Sequence, residues 1–117
     1  MKAIIDLAPR GAVFGTAAAQ LAAAESGATA DYHLHFESAR ALFAELTPAR
    51  IELLDTLRRA GSCSVYALAK AAERNYSNVH ADVGALVALG LVQRTEEGAV
   101  RVPFDAVEIR LDLAAVA

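Results

Sequence analysis

The chain has 117 residues, enough for one domain of ordinary size and too few for two independent hydrophobic cores. Although 56% of it is apolar, 28 residues are alanine, so that fraction reflects helix-forming composition more than bulky core material. A lone cysteine, Cys63, excludes an intramolecular disulfide and a multi-cysteine zinc site, and a net charge of −3 requires any basic patch to come from local clustering.

At the N-terminus, Lys2 and the stretch GAVFGTAAAQLAAA superficially resemble a secretory leader, but Asp6, Pro9 and Arg10 interrupt the apolar run. No segment reaches the ~18 apolar residues of a membrane span. A reducing, cytoplasmic location is the expectation. Residues 12–25 predict an alanine-rich helix stopping near Gly27. TADYHLHF (29–36) alternates, which predicts a half-buried strand with Tyr32, Leu34 and Phe36 on one side and His33 and His35 on the other. Ser38 to Leu46 predicts a short helix with Leu42, Phe43 and Leu46 on one side.

Thr47-Pro48 is a helix start, a capping hydroxyl followed by proline at the first helical position. The helix it opens carries Ile51, Leu53, Leu54 and Leu57 and stops at Gly61. Ser64 caps the next, with Val65, Leu68, Ala69 and Ala72 as its apolar face. A third helix follows the turn Glu73-Arg74-Asn75, capped by Asn75 and ending at Leu89-Gly90. Its apolar residues Val79, Val83 and Leu86 and then Gly90 recur at i, i+4, i+7 and i+11. The other face of its first two turns is Tyr76, Ser77, Asn78, His80 and Ala81, four of which can hydrogen-bond. Gly84 inside this helix costs ~1 kcal/mol relative to alanine, explicable by close packing or by the near approach of a phosphate.

From Leu91 the period becomes two. LVQRT and AVRVP flank Glu96-Glu97-Gly98, a glycine-containing hairpin turn, and AVEIRLDL (106–113) alternates as a further strand. Residues 1–47 and 104–117 each carry a net −2 and residues 48–103 a net +1, so the middle segment alone is not acidic. That distribution permits nucleic-acid contact there. Arg94 and Arg101, seven apart across the hairpin, are expected on one side of it, and Glu96 and Glu97 at its tip oppose approach to a minor groove.

The run LAKAAERNYSNVHADVGALVALGLV, the preceding LTPARIELLDTLRRAG and the hairpin VQRTEEGAVRVP resemble the MarR-type winged helix-turn-helix regulators of prokaryotes, over roughly residues 36–113. The resemblance implies an α+β, mainly α fold: a winged helix-turn-helix domain over 47–117 with a C-terminal strand, preceded by an N-terminal helix and strand extension over 1–46 that dimerises. It implies a sequence-specific DNA-binding regulator, a repressor, acting as a homodimer on double-stranded DNA. Tyr76, Ser77, Asn78, His80 and Ala81 would face the major groove, and Lys70, Arg74, Arg94 and Arg101 would contact phosphates. Similar proteins often carry basic residues where this chain has Ser77 and Ala81, which weakens the phosphate contribution and leaves base reading to Asn78, Ser77 and Tyr76.

The alternative is a protein-interaction module of the antitoxin kind, neutralising a toxin partner and repressing its own operon; the acidic ends and apolar LDLAAVA tail favour it. His33 and His35 lie on one strand face, but without a motif-placed carboxylate they read as a polar face or a subunit contact, not metal ligands. Cys63, in GSCSV, reads as a small buried residue. No catalytic nucleophile, phosphate-cradling loop or paired acid and base is apparent, so neither an enzyme nor a cofactor is expected.

Overall fold

The computed structural model describes residues 1–8 and 31–113. Among these, five strands and four helices follow in the order β1 (Lys2–Leu7), β2 (Tyr32–Phe36), α1 (Ala39–Glu45), α2 (Pro48–Ala60), α3 (Val65–Ala72), α4 (Tyr76–Ala88), β3 (Gln93–Arg94), β4 (Val100–Arg101) and β5 (Ala106–Ile109). The fold class is α+β. The helix expected over 12–25 lies outside the described residues. No described helix is long and apolar enough to cross a membrane.

The chain divides into two units, one built on residues up to Ala44 and from Phe104 onward, the other on Glu45–Pro103. The boundary read from the sequence, after residue 46, grouped the last strand with the helices. β5 instead pairs with β1, which a strand's own alternation cannot reveal.

The first unit is a three-stranded parallel sheet in the order β2-β1-β5. Its central strand, KAIIDL, escaped the alternation rule: Ala3, Ile4 and Ile5 are all buried, and a strand covered on both faces reads as a continuous apolar run. The register aligns Ala3, Ile5 and Leu7 with Tyr32, Leu34 and Phe36, and Ala3 and Ile5 with Val107 and Ile109, forming one apolar face. Ile4 and Asp6 align with His33 and His35, and Ile4 with Glu108, on the other. The two-sidedness expected of 29–36 therefore holds in register, although every residue of β2 is half-buried. Tyr32 stacks on Phe104, ring centroids 5.7 Å apart.

The second unit is built on three capped helices. Thr47 Oγ1 accepts from Arg50 N at 3.3 Å with Pro48 in the first turn, and Ser64 Oγ accepts from Ala67 N at 3.0 Å. α2 ends at Gly61, whose φ of 76° lies in the region glycine enters without steric cost. Leu53, Leu54 and Leu57 of α2, Val65, Leu68 and Ala69 of α3, and Val79, Val83 and Leu86 of α4 are buried. Two apolar residues depart from expectation. Phe43 of α1 and Ile51 of α2 are exposed, because Leu42 and Leu46, and Leu54 with its neighbours, occupy the inward positions of their turns.

β3 and β4 form an antiparallel ribbon closed through Thr95–Gly98, where Thr95 Oγ1 accepts from Ala99 N at 3.1 Å and Gly98 takes φ 84°. Cys63 adds a bridge on β4, donating its N–H to Val100 O at 3.1 Å and accepting from Val100 N at 2.8 Å. The link between α2 and α3 thus serves as a short third strand.

Gly84 meets no heavy atom where a Cβ would stand, so close packing within the chain does not account for it. Gly84→Ala is therefore expected to raise stability by about 0.5–1 kcal/mol, read as a higher thermal midpoint. An unchanged or lowered midpoint would show a constraint at this position other than helix propensity.

Candidate nucleic-acid interface

α4 is positioned by its cap and its buried stripe. Asn75, extended at φ −63° and ψ 132°, accepts from Ser77 N at 2.8 Å and Asn78 N at 3.3 Å. With Val79, Val83 and Leu86 turned inward, Tyr76, Ser77, Asn78, His80 and Ala81 are all exposed. All five expected groove-facing residues are thus accessible, distributed around the outward side of the first two turns of α4. Tyr76 lies against His80, ring centroids 5.8 Å apart, and remains 48% exposed.

What holds α4 in this rotation is an ion cluster that the sequence did not disclose. Asp82, beside the buried stripe, accepts from Arg50 Nε of α2 at 3.1 Å and from Arg74 Nη2 of the α3–α4 turn at 2.7 Å. Arg50 also donates through Nη1 to the Glu45 carbonyl at 2.9 Å. Arg74 reaches Asp82 because Glu73 takes a left-handed conformation, φ 55°, and Arg74 N closes on Ala69 O at 3.0 Å, ending α3 in a Schellman-type turn. Burial by itself would raise the Asp82 carboxyl, but hydrogen bonds from Arg74 and Arg50, and their charges, outweigh it and hold the carboxyl below its ordinary value of 3.8. The available signal was Asp82's place three residues after Val79 and four before Leu86, at the margin of an apolar stripe.

The four expected phosphate-facing cations separate into different roles. Arg74 is committed to Asp82 and only partly accessible, with its Nη1 buried, so it is a structural cation where a free one was expected. Lys70 is exposed on α3, its Nζ 5.6 Å from the centroid of Tyr66, an exposed aromatic that the sequence reading passed over although it stands one turn before Lys70. Arg94 and Arg101 are both exposed but do not share a side. The register sets Arg101 opposite Gln93 and Arg94 opposite Val100, and directly opposed residues share a face, so the two arginines project from opposite faces of the ribbon. Arg101 Nε donates to Gln93 Oε1 at 3.0 Å. Glu96 and Glu97 are exposed in the turn.

Residues 45–109, which span all three helices of this unit, the ribbon and β5, match the HVO_A0114 family. The chain belongs to the HVO_A0114 family. That match covers more than half of its length. No curated protein and no solved structure matches the chain. The HVO_A0114 segment contains every residue expected at the interface, together with Arg50 and Asp82.

Outside that segment, His33 and His35 stack with ring centroids 6.4 Å apart, and His35 Nδ1 is paired with the Asp6 carboxylate. Among the described residues no group of three or more His, Cys, Asp or Glu side chains is arranged to hold a metal ion. Cys63, expected as a small buried residue, is half-buried, and burial pushes its thiol upward, away from thiolate.

Replacing Asp82 by Asn leaves the Arg74 guanidinium without a counter-charge and Arg50 with only the more exposed Glu45 carboxylate, 3.6 Å away, although each arginine has less than a third of its side chain exposed. Asp82→Asn is expected to cost about 2–3 kcal/mol at neutral pH, measured by urea unfolding. A carboxyl lowered in the folded state stabilises above its unfolded value and loses that contribution as pH falls through the folded value. The difference between wild type and Asp82→Asn should therefore be constant above about pH 5 and shrink below about pH 4. A difference independent of pH would mean that the charge of Asp82 is not what holds the cluster.

Proposed function

We propose that the unit Glu45–Pro103 is a winged helix-turn-helix and that the protein binds double-stranded DNA in a sequence-specific manner, as a cytoplasmic, homodimeric transcriptional repressor without enzymatic activity. The observation that carries this reading is the face of α4. Its first two turns expose Tyr76, Ser77, Asn78 and His80 together, while the opposite side is fixed by the core and by the Arg50–Asp82–Arg74 cluster. The element order of three helices followed by an antiparallel ribbon, with the α2–α3 link bridged onto that ribbon, is what such a domain requires.

In this reading α4, about 20 Å long, enters the major groove by its N-terminal turns. Asn78 presents an amide suited to the N6 and N7 edge of adenine; Ser77 and Tyr76 supply hydroxyls and His80 a ring nitrogen. Lys70 and Arg101 or Arg94 contact phosphates, Arg74 serving instead to set the angle of α4. A second reading, a partner-neutralising module of the antitoxin kind, is favoured by the exposed apolar residues Val107, Ile109, Leu111 and Leu113.

Titration of DNA from the protein's own upstream region against salt tests the reading. With Lys70 and one wing arginine available, log K is expected to fall with log salt at a slope of about −2 per subunit. Absence of binding even at low salt would sink it and leave the interaction module. Asn78→Ala should reduce discrimination between cognate and scrambled sites by about 1–3 kcal/mol with little effect on the salt slope. Equal weakening on every sequence would contradict base reading by this residue.

A further inference from the structure

β5 ends the sheet: among the described residues it pairs with β1 alone. Its inner edge is marked by Arg110 N, which donates to Ile5 O at 2.8 Å. Since peptide groups alternate along a strand, those of Val107 and Ile109 point to the outer edge and offer an unfilled ladder. The side chains of Val107 and Ile109 continue the face that buries Ala3 and Ile5 completely, yet remain 38% and 36% exposed. The opposite side of the same strand carries Glu108 and Arg110, with Asp112 beyond.

We propose that this edge pairs antiparallel with the β5 of a second copy of the chain, about a two-fold axis passing beside Ile109, joining two three-stranded sheets into one of six strands. The choice of partner and of register follows from charge. With the axis at Ile109, Ile109 opposes its own copy, Val107 opposes Leu111 of the partner subunit, and Glu108 opposes Arg110 of the partner subunit, twice by symmetry. Moving the axis by one residue either way, a register slip of two, sets Glu108 against Glu108 of the partner subunit, or Arg110 against Arg110 of the partner subunit. Like charges directly opposed disfavour both registers.

Charges on an edge strand commonly serve to prevent pairing. Here their signs alternate so that an antiparallel two-fold copy is the complement, which a purely protective pattern would avoid. Glu108 already bonds Arg110 Nη2 at 3.2 Å and Lys2 Nζ at 3.3 Å, all three groups being solvent-accessible. Pairing extends these contacts into a ladder across the axis and brings the apolar side chains of the two copies into cross-strand contact. The interface is isologous, as a two-fold regulator requires.

The inference rests on the homodimer in the proposed function but not on DNA, and the test contains no DNA. Sedimentation equilibrium of wild type, Glu108→Arg, Arg110→Glu and an equimolar mixture of the two variants, at low and high salt, decides it, with circular dichroism establishing that each is folded. Wild type should be a dimer. Each single variant sets like charges together and should weaken dimerisation about tenfold or more at low salt, less at high salt. The mixture should form a heterodimer of near wild-type affinity, because arginine from one variant then faces glutamate from the other on both sides of the axis. A monomeric wild type, single variants that dimerise undiminished, or a mixture that does not reassociate would overturn the proposal. A dimer insensitive to both variants would leave the homodimer standing with another interface, and failure to bind DNA with intact charge-dependent dimerisation would count against the DNA reading alone.

Discussion

The carboxylate of Asp82, held between Arg50 and Arg74, is the constraint on which the candidate site depends. Val79, Val83 and Leu86 anchor α4 in the core, but a hydrophobic stripe resists rotation weakly, because apolar contact is non-directional. Two charge-assisted hydrogen bonds to one carboxylate are directional, and they run to different elements, α2 and the turn following α3. They reinforce the rotation that the buried stripe gives α4. The polar face of Tyr76, Ser77, Asn78 and His80 is accessible as a group because the other side of the helix is pinned by geometry as well as by burial.

The same cluster explains the sparse charge of the proposed interface. Arg74, the cation nearest in sequence to α4, is occupied by its pairing with Asp82. What remains for a phosphate backbone is Lys70, standing over Tyr66, and two arginines on opposite faces of the ribbon. Under the proposed DNA-binding function, affinity would depend on base-edge hydrogen bonding and on joining two copies, since one weakly charged helix presents little surface. The outer strand of the parallel sheet, with Glu108 and Arg110 along its edge, is where we propose that joining takes place.

Local readings of the sequence held where the physics is local. The three N-caps Thr47, Ser64 and Asn75 are occupied as their residue types and positions indicate, because an N-cap bond spans only two or three residues. The buried stripe of α4 and its exposed complement follow from helical periodicity alone. The readings failed where a residue's state depends on something distant. β1 lacked alternation because both its faces are covered, and Arg94 and Arg101 were parted by a ribbon register that spacing does not specify.

By itself, the sequence determined where helices begin and end from Thr47 to Gly90, that a hairpin follows, and which side of α4 is polar. Each of these depends on chemistry within one turn of the chain. Only the tertiary structure decided that β5 joins β1 in a parallel sheet, that Cys63 bridges Val100, and that Arg50 and Arg74, separated by 24 positions, converge on Asp82. Those pairings join groups whose neighbourhood is created by folding, and no spacing along the chain encodes the distance between them.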